Sequence, residues 1–420
     1  MMQKRYDINE KPPVAQSILL AIQHVFAMFG ATVLVPILTG LDTSVALLTS
    51  GIGTLIFHYF TKGKVPAYLG SSFAYIAGLA LMIKGSDKVA AVGVPTAMGA
   101  AMVVGLVYVA VFLIVKAFGS QVITKYIPSV VVGPVVMIIG LSLAGVAVGP
   151  DMAGKDWPTA IFTLVATIIF SVFAKGFFKI IPILLGIASG YAFALARGLI
   201  HVNEIFTSPV IKAPALVMPE FHLSAILVLA PLALVTIIED LGHIFVIGNV
   251  TERDLIKDPG FDRVLLGNGL ATAVASFFGG PPSTTYGENI GVLAVTRVYS
   301  SFVIQMAAVV AIILSFVGPI RDVVVSIPGA VMGGVVTLLF GMIAAAGIRT
   351  MVEAKSDLSS TRNLIIVSII LIVGIGYPNH GVGYATITGI LLNLILPQEK
   401  KDDMSITTLE ADTVEESKRA

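Results

Sequence analysis

The chain has 420 residues, of which 56% are hydrophobic and 12% are charged, and its formal net charge is +1. Soluble domains carry about 25% charged residues, so this composition excludes an ordinary soluble protein and is typical of a membrane protein with many spans. The absence of cysteine excludes disulfides, thiolate metal sites and a cysteine nucleophile, and no basic patch with interleaved aromatic residues indicates a nucleic-acid partner. The partner that these features predict is the lipid bilayer.

Fourteen apolar candidate spans follow a polar N-terminal tail at residues 1–14. A spanning helix needs about 20 apolar residues. The first seven segments are predicted near residues 15–38, 43–60, 66–83, 91–115, 128–148, 158–174 and 178–198. The second seven are predicted near residues 223–248, 264–279, 284–296, 299–317, 325–346, 362–377 and 380–397. Residues 398–420 are polar and are expected to form a disordered tail.

The distribution of basic residues orients these spans. When both tails and alternate loops are assigned to one face, that face collects twenty of the 26 lysine and arginine residues, and the other face has six. Basic residues are enriched in cytoplasmic loops. We therefore expect a multi-pass protein with both termini in the cytoplasm.

Short sequences recur in the same order in the two sets of seven spans. IPSVVVGPVV at 127–136 resembles IPGAVMGGVV at 327–336, and QHVF at 23–26 resembles GHIF at 242–245. The third span of each set is short or interrupted by Gly, Pro, Ser and Thr. A unit with an odd number of spans inserts its second copy upside down, so we predict two inverted seven-span repeats. Interrupted segments at matching places indicate a binding site near the membrane midplane.

Few ionisable residues lie within the predicted spans, where a carboxylate costs about 2.5–3.5 kcal/mol at a helix centre. Glu239 and His243 are four residues apart on one helix face, so they could hydrogen-bond to each other or to one ligand. A packing contact, a metal site and a substrate or proton site all stay open; the metal site is least favoured because no further ligand lies one turn away. Asp240 is assigned no role, and His58 is expected at the membrane interface.

The segment ENIGVLAVTR at 288–297 resembles the signature of the nucleobase–ascorbate transporter family, also called nucleobase–cation symporter family 2. That signature is Gln/Glu/Pro-Asn-x-Gly-x-x-x-x-Thr-Arg/Lys/Gly. The pair QH at 23–24 resembles the family's second motif, and the stretches AIQHVFAMFGATVLVP and GSSFAY resemble its uracil-transporting bacterial members. The resemblance covers residues 8–397.

The resemblance implies an all-α polytopic protein of the bacterial cytoplasmic membrane, with fourteen spans in two inverted repeats. Spans 3 and 10 would each contain a short β-strand before a half-helix. Residues 15–120 and 220–320 would form a core domain, and residues 121–200 and 321–397 a gate domain. Substrate would bind between the two broken spans.

The site residues follow from the family's motif positions. The implied substrate-binding residues are Phe73, Glu239, Tyr286, Gly287 and Glu288. His243, together with Glu239, would couple transport to a proton, and His24 and Asn289 would brace the site. Phe340 is implied to lie in the gate, at a position where some members have tyrosine.

The function that the resemblance implies is proton-coupled uptake of uracil by alternating access. A carboxyl group accepts from the N–H groups of uracil and, when protonated, donates to its C=O groups. A xanthine, urate or other purine permease is the close alternative, and an anion transporter or channel of similar architecture is the alternative from another class. The sequence lacks HExxH, GxSxG and Walker A motifs, so neither an enzyme nor a cofactor is predicted. A homodimer is one assembly compatible with this interpretation.

Overall fold

Long apolar runs fold as helices in both halves of the chain. The computed structural model describes residues 6–85, 90–200, 205–377 and 381–397; the predicted C-terminal tail lies outside this part. The first half contains α1 (Val14–Thr39), α2 (Thr43–Phe60), β1 (Leu69–Ser71), α3 (Ile76–Lys84), α4 (Val94–Phe118), α5 (Gln121–Tyr126), α6 (Ser129–Ser142), α7 (Ala144–Val148), α8 (Trp157–Phe173) and α9 (Pro182–Ala196). The second half contains α10 (Leu223–Leu229), α11 (Leu232–Thr251), α12 (Phe261–Phe277), β2 (Ser283–Thr285), α13 (Gly287–Thr296), α14 (Ser301–Ser315), α15 (Gly318–Val325), α16 (Gly329–Glu353), α17 (Thr361–Gly376) and α18 (Gly381–Ile395).

Each predicted segment contains at least one of these helices. In the described part of the chain, six helical stretches are long and apolar enough to cross a membrane, and six shorter helices are also apolar. Two predicted spans are divided: the fifth is α6 followed by α7, and the eighth is α10 followed by α11. The second division falls at Pro231, because proline has no amide hydrogen and clashes with the preceding turn. The multi-pass helical fold is thus confirmed, with changed boundaries.

Many helix–helix contacts have a counterpart in which each helix is replaced by the equivalent helix of the other half of the chain. α2 packs on α14 as α4 packs on α12, and α8 packs on α9 as α17 packs on α18. Likewise α8 contacts α16 where α17 contacts α6, while α2 pairs with α12 and α6 with α16. An inverted repeat produces this pattern, since each contact in one half has a counterpart in the other. The matching sequences at 127–136 and 327–336 lead into α6 and α16, which pack on each other.

Two groups of helices result from these contacts. The first group contains α1–α4 and α10–α14, and the second contains α6–α9 and α16–α18. Close packing within the first group depends on glycine: a Cβ added at Gly105 of α4 would lie 2.5 Å from the carbonyl oxygen of Gly269 on α12. Small residues let membrane helices approach closely, where packing rather than the hydrophobic effect holds them together.

The outer surface of the second group is apolar. Along α8, Ile161, Val165, Ile169 and Val172 are all about half exposed. Their spacing of four, four and three residues places them in one stripe of the helix. Such a stripe is stable against lipid, where leaving apolar side chains outside the protein costs nothing.

The two predicted strands are present and pair with each other. β1 and β2 are antiparallel, with Gly70 opposite Thr284 and Ser71 opposite Ser283. The ladder is extended at both ends, because the Tyr286 amide donates to the Tyr68 carbonyl at 2.9 Å, and the amide of residue 72 donates to the carbonyl of residue 282 at 2.9 Å. Backbone polar groups at membrane depth must find partners inside the protein, and here the two broken spans satisfy each other. Helical structure resumes at residues 73 and 287, so both half-helices begin at this ladder.

Candidate functional site

The ring of Tyr286 lies across the strand ladder and is buried. Its hydroxyl donates to the Ser71 carbonyl at 3.2 Å and lies 3.1 Å from the Thr32 hydroxyl of α1. A Cβ at Gly70 would lie 2.3 Å from the ring, so this position must be glycine for the ring to fit. The side chain of Tyr286 is therefore fully engaged with the protein. The Tyr286 amide is also bonded within the ladder, so the predicted part of this residue in substrate binding stays a prediction.

His24 of α1 contacts Asn289 of α13. The amide nitrogen of Asn289 donates to His24 Nδ1 at 3.0 Å and to the His24 carbonyl at 3.2 Å. Both side chains are about 1% exposed, so neither can bind a ligand directly without displacement of its neighbours. This contact joins the first helix to the half-helix after β2. Its role in bracing the site stays a prediction.

Glu239 and His243 lie on α11 and face the ladder region without bonding to each other in the described structure. His243 Nδ1 is instead 2.8 Å from the Thr285 hydroxyl of β2. Its other ring nitrogen, Nε2, points towards Gly287, where an added Cβ would lie 3.5 Å away. The Glu239 side chain is exposed, and it lies within electrostatic range of Glu288. The direct hydrogen bond between Glu239 and His243 that the sequence left open is absent from the described structure, and a ligand shared by the two side chains stays a prediction.

Glu288 lies in the first turn of α13 and lines a cavity of about 400 Å³ between the two helix groups. The cavity is also lined by Gly30 and Ala31 of α1, by Leu339 of α16 and by Lys179. Gly287, at the start of α13, is exposed. The first amide groups of a helix have no partner within the helix, so they are free to donate to a ligand. Carboxyl groups and free backbone donors thus meet at one end of the ladder.

Phe73 and Phe340 belong to neighbouring apolar surfaces. Phe73 is half-buried at the start of the helical turn after β1, and it packs against a cluster that contains Phe340 and Leu339 of α16. Phe340 is 2% exposed. The two aromatic residues therefore lie where the first helix group meets the second. The predicted gating role of Phe340 stays a prediction.

Asp240 was assigned no role from the sequence, yet it is the centre of a buried network. The side chain is 0% exposed and accepts five hydrogen bonds. The donors are the Tyr108 hydroxyl (2.9 Å), the Asn268 amide (2.5 Å), the Thr284 hydroxyl (3.1 Å), the Thr285 amide (3.1 Å) and the Thr285 hydroxyl (2.7 Å). Spacing along α11 gave no signal for these contacts, because the donors come from α4, α12 and β2.

His58, which is expected at the membrane interface, is buried inside the protein. His58 is 3% exposed, and its Nε2 atom is 3.0 Å from the Ala67 carbonyl. The segment between α2 and β1 folds back over the last turn of α2 and covers the ring. Among the described residues, no group of three His, Asp or Glu side chains is arranged to hold a metal ion.

Solved structures with the same fold are transporters. The transmembrane domain of a cyanobacterial bicarbonate transporter, BicA, has a TM-score of 0.63 and 14% identity, and covers 92% of this chain and 100% of that one. The inward-facing murine anion transporter Slc26a9 has a TM-score of 0.67 and 12% identity, and covers 94% of this chain and 69% of that one. At these identities the likeness shows the fold alone.

Sequence relatives are closer. The uracil permease of Bacillus caldolyticus is 48% identical over 414 residues, covering 93% of this chain and 94% of that protein. The uracil permeases of Bacillus subtilis (strain 168) and Escherichia coli (strain K12) are each 43% identical, covering 94% of this chain and 96% and 93% of those proteins. A family model described as a permease family (Xan_ur_permease) matches residues 15–382. The resemblance indicated by the signature at 288–297 is thereby confirmed, and the chain belongs to this permease family.

Proposed function

We propose that this permease takes up uracil together with protons across the bacterial cytoplasmic membrane. The observation that carries the proposal is the meeting of Glu239, Glu288 and the exposed backbone of Gly287 at the strand ladder. Similarity to three uracil permeases over more than nine tenths of the chain supports the same substrate.

The chemistry of the site matches the polar edge of a pyrimidine. Uracil presents alternating N–H and C=O groups, so it needs both acceptors and donors. Glu239 and Glu288 can supply either, depending on protonation, and the free amide of Gly287 supplies a fixed donor. Phe73 is the aromatic side chain available to cover the ring, since the ring of Tyr286 is held against Ser71.

Proton coupling follows if substrate binding requires a protonated carboxyl group. Two carboxyl groups close together repel each other when both are ionised, so binding a proton relieves that repulsion. A protonated carboxyl can then donate to a uracil carbonyl, which an ionised one cannot do. The proton and the substrate thus stabilise each other's binding. His243, with Nε2 directed towards Gly287, is placed to take part in this exchange.

Alternating access is supported by cavities between the two helix groups. One, of about 400 Å³, is lined by Glu288 and Lys179; another, of about 390 Å³, is lined by Lys84 and Gly78 of α3 and by Asp151. Lys84 ends α3, whereas Lys179 precedes α9, so the cavities lie towards opposite ends of the helices. We assign the first group as the core domain and the second as the gate domain, which rock against each other. By the distribution of basic residues, the Lys179 side and both termini are cytoplasmic.

The alternatives make different demands on the site. An anion transporter should not present two acidic side chains to its substrate, because carboxylates repel anions. Purine permeases of the family often carry glutamine where this chain has Glu288. The two acidic side chains argue against an anion transporter, and a glutamate at position 288 argues against a purine permease.

Uptake by proteoliposomes containing the purified protein tests the proposal. Labelled uracil should accumulate when an inward proton gradient is imposed, and a protonophore should abolish the accumulation. Excess unlabelled uracil should compete, whereas xanthine and urate should compete weakly. Accumulation driven by a sodium gradient alone, or stronger competition by xanthine than by uracil, would overturn the assignment.

A further inference from the structure

A chain of three polar side chains links the buried network to the site. Asp240 Oδ1 accepts from the Thr285 hydroxyl at 2.7 Å, and the same hydroxyl oxygen is 2.8 Å from His243 Nδ1. Asp240 and Thr285 are 0% and 1% exposed, so neither touches a ligand in the site. The proposed transport mechanism uses His243 and leaves the other two residues unexplained.

The donors around Asp240 determine which atom donates in each hydrogen bond between Asp240, Thr285 and His243. The Asp240 carboxyl group is surrounded by donors: two are N–H groups, and three are hydroxyls that all point at its oxygens. An ionised carboxylate only accepts, so it suits these surroundings. The Thr285 hydroxyl has one hydrogen, which goes to Asp240. Its oxygen must then accept from His243, so the His243 Nδ1 atom carries a hydrogen.

We propose that Asp240 is a positioning residue that acts through Thr285 to hold His243 in one tautomer, with hydrogen on Nδ1 and a free electron pair on Nε2. The inference rests on the proposed role of His243 in proton coupling. It adds that Nε2, the nitrogen directed towards Gly287, is the atom that gains and loses the proton. The hydrogen on Nδ1 stays in place through the transport cycle.

This arrangement orients the proton-accepting atom without exposing the supporting charge. Among the described residues, other ionisable groups next to the site are Glu239 on the same helix, Glu288 on α13, and Lys179, which lines the cavity with Glu288. Asp240 cannot reach a ligand, because its five donors enclose it. A proton arriving from the site therefore reaches His243 Nε2 or the two glutamates before the enclosed Asp240.

A matched pair of substitutions separates this role from simple packing. Thr284 and Thr285 are adjacent, both buried, and both donate to Asp240 Oδ1, but of the two only Thr285 hydrogen-bonds to His243. Thr285→Val removes the link while keeping the shape of the side chain, and Thr284→Val makes the same chemical change beside it. Thr285→Ser keeps the hydroxyl and should restore the link.

The measurement is nitrogen NMR on protein labelled with ¹⁵N-histidine in lipid nanodiscs, at a pH where His243 is neutral. The chain has six histidines, and the His243→Gln variant identifies the signals of His243. We expect hydrogen on Nδ1 in the unchanged protein, in Thr284→Val and in Thr285→Ser. In Thr285→Val the ratio of the two tautomers should shift towards Nε2–H by on the order of five-fold or more, the effect of losing one buried hydrogen bond.

Two results would overturn the proposal: hydrogen on Nε2 in the unchanged protein, or equal tautomer shifts in Thr284→Val and Thr285→Val. Melting temperatures of all variants show whether each is folded before its spectrum is interpreted. If Thr285→Val does not fold, Thr285→Ala compared with Thr284→Ala replaces the comparison, because alanine also removes the hydroxyl. The tautomer is measured without substrate, so failure of uracil accumulation would refute the transport proposal and leave this result standing.

Discussion

β1 and β2 are each three residues long, each buried, and each followed at once by helical structure. Their side chains differ. The segment after β1 offers a serine and Phe73, whereas the segment after β2 offers Gly287 and Glu288. The backbone around the ladder is close to symmetric, whereas the two carboxyl groups of the candidate site, Glu239 and Glu288, both come from the second half.

The same difference holds for the helices that begin each half. Aligning QHVF with GHIF matches His24 of α1 to His243 of α11, and it places Leu20 and Ala21 opposite Glu239 and Asp240. In α1 the histidine anchors the half-helix α13, and its neighbours one turn back are buried apolar residues. Under the proposed function, the comparison teaches that one repeat supplies scaffold and the other supplies chemistry, although both have the same fold.

The largest expected effect is loss of uracil binding on changing Glu288 to glutamine. The amide keeps the shape but cannot change between acceptor and acid, and a hydrogen bond to a charged group contributes about 1.5–3 kcal/mol, or roughly 10- to 150-fold in Kd. Calorimetry on the purified protein measures the change. Glu353→Gln, at an exposed pair with Arg349 on α16, is the matched control and should bind uracil unchanged. Equal affinities of Glu288→Gln and the control would remove Glu288 from the site.

Replacing each of the two matched histidines by alanine should distinguish a residue that couples transport to protons from a residue that stabilises the fold. His243→Ala should bind uracil within several-fold of normal and lose proton-driven accumulation. His24→Ala should leave the buried Asn289 amide without its ring partner, at a cost of about 1–3 kcal/mol, and lower the melting temperature. Binding, accumulation and melting temperature should be measured on both proteins. The comparison of the halves fails if the two variants show the same profile.

Gly70→Ala tests how closely the ring of Tyr286 packs against β1. The new methyl group would meet the ring of Tyr286, so the ladder must shift at a cost of about 1–3 kcal/mol. Gly145→Ala in α7 is the control, because nothing lies within 4 Å of its added Cβ. Thermal unfolding should show a loss for Gly70→Ala and no loss for the control. A harmless Gly70→Ala would mean that Tyr286 is free to leave the strand.

The smallest expected effect concerns matched helix caps away from the site. Asp156 caps α8 and Ser360 caps α17. Hydrogen bonds from Thr159 and the Arg197 guanidinium lower the pKa of Asp156. Its contribution to stability is therefore present above the unfolded pKa of about 3.9 and is lost as the pH falls through the lower folded value. Asp156→Ser should cost about 1 kcal/mol or less at neutral pH and nothing once the carboxyl is protonated.

The melting temperatures of Asp156→Ser and of the unchanged protein should be compared at pH 7 and at the lowest pH that the protein tolerates. Ser360→Ala is the control, since its cap carries no charge and its effect should not change with pH. A loss in Asp156→Ser that is the same at both pH values would contradict the electrostatic origin.

Much of the fold could be predicted because hydrophobicity and repeats are local signals. The apolar runs located the helices, the interruptions marked spans 3 and 10 as broken, and the family resemblance predicted the strands within them. Boundaries moved where proline or short turns divide a run, as at Pro231. The broken segments also pointed to Glu288.

The buried network could not be predicted, because its members are distant in sequence. Asp240 looked like an ordinary neighbour of Glu239, and its donors Tyr108 and Asn268 are common residues with no motif. The burial of His58 could not be predicted for the same reason: the segment that covers it is a loop, and hydropathy does not show where a loop folds. Sequence patterns indicate whether a residue itself favours a helix, a strand or burial. The environments of Asp240 and His58 depend instead on which distant residues fold against them.

The ladder has a consequence for how the protein is made. Gly70 pairs with Thr284, so β1 has no strand partner until roughly 200 further residues have been synthesised, about 10–40 s at translation rates of about 5–20 residues per second. During that interval the first repeat sits in the membrane with an unpaired strand edge, and hydrocarbon offers it no hydrogen bonds. The first half therefore needs other partners for the backbone groups of β1 until β2 has been made. Its maturation ends only when the second half arrives.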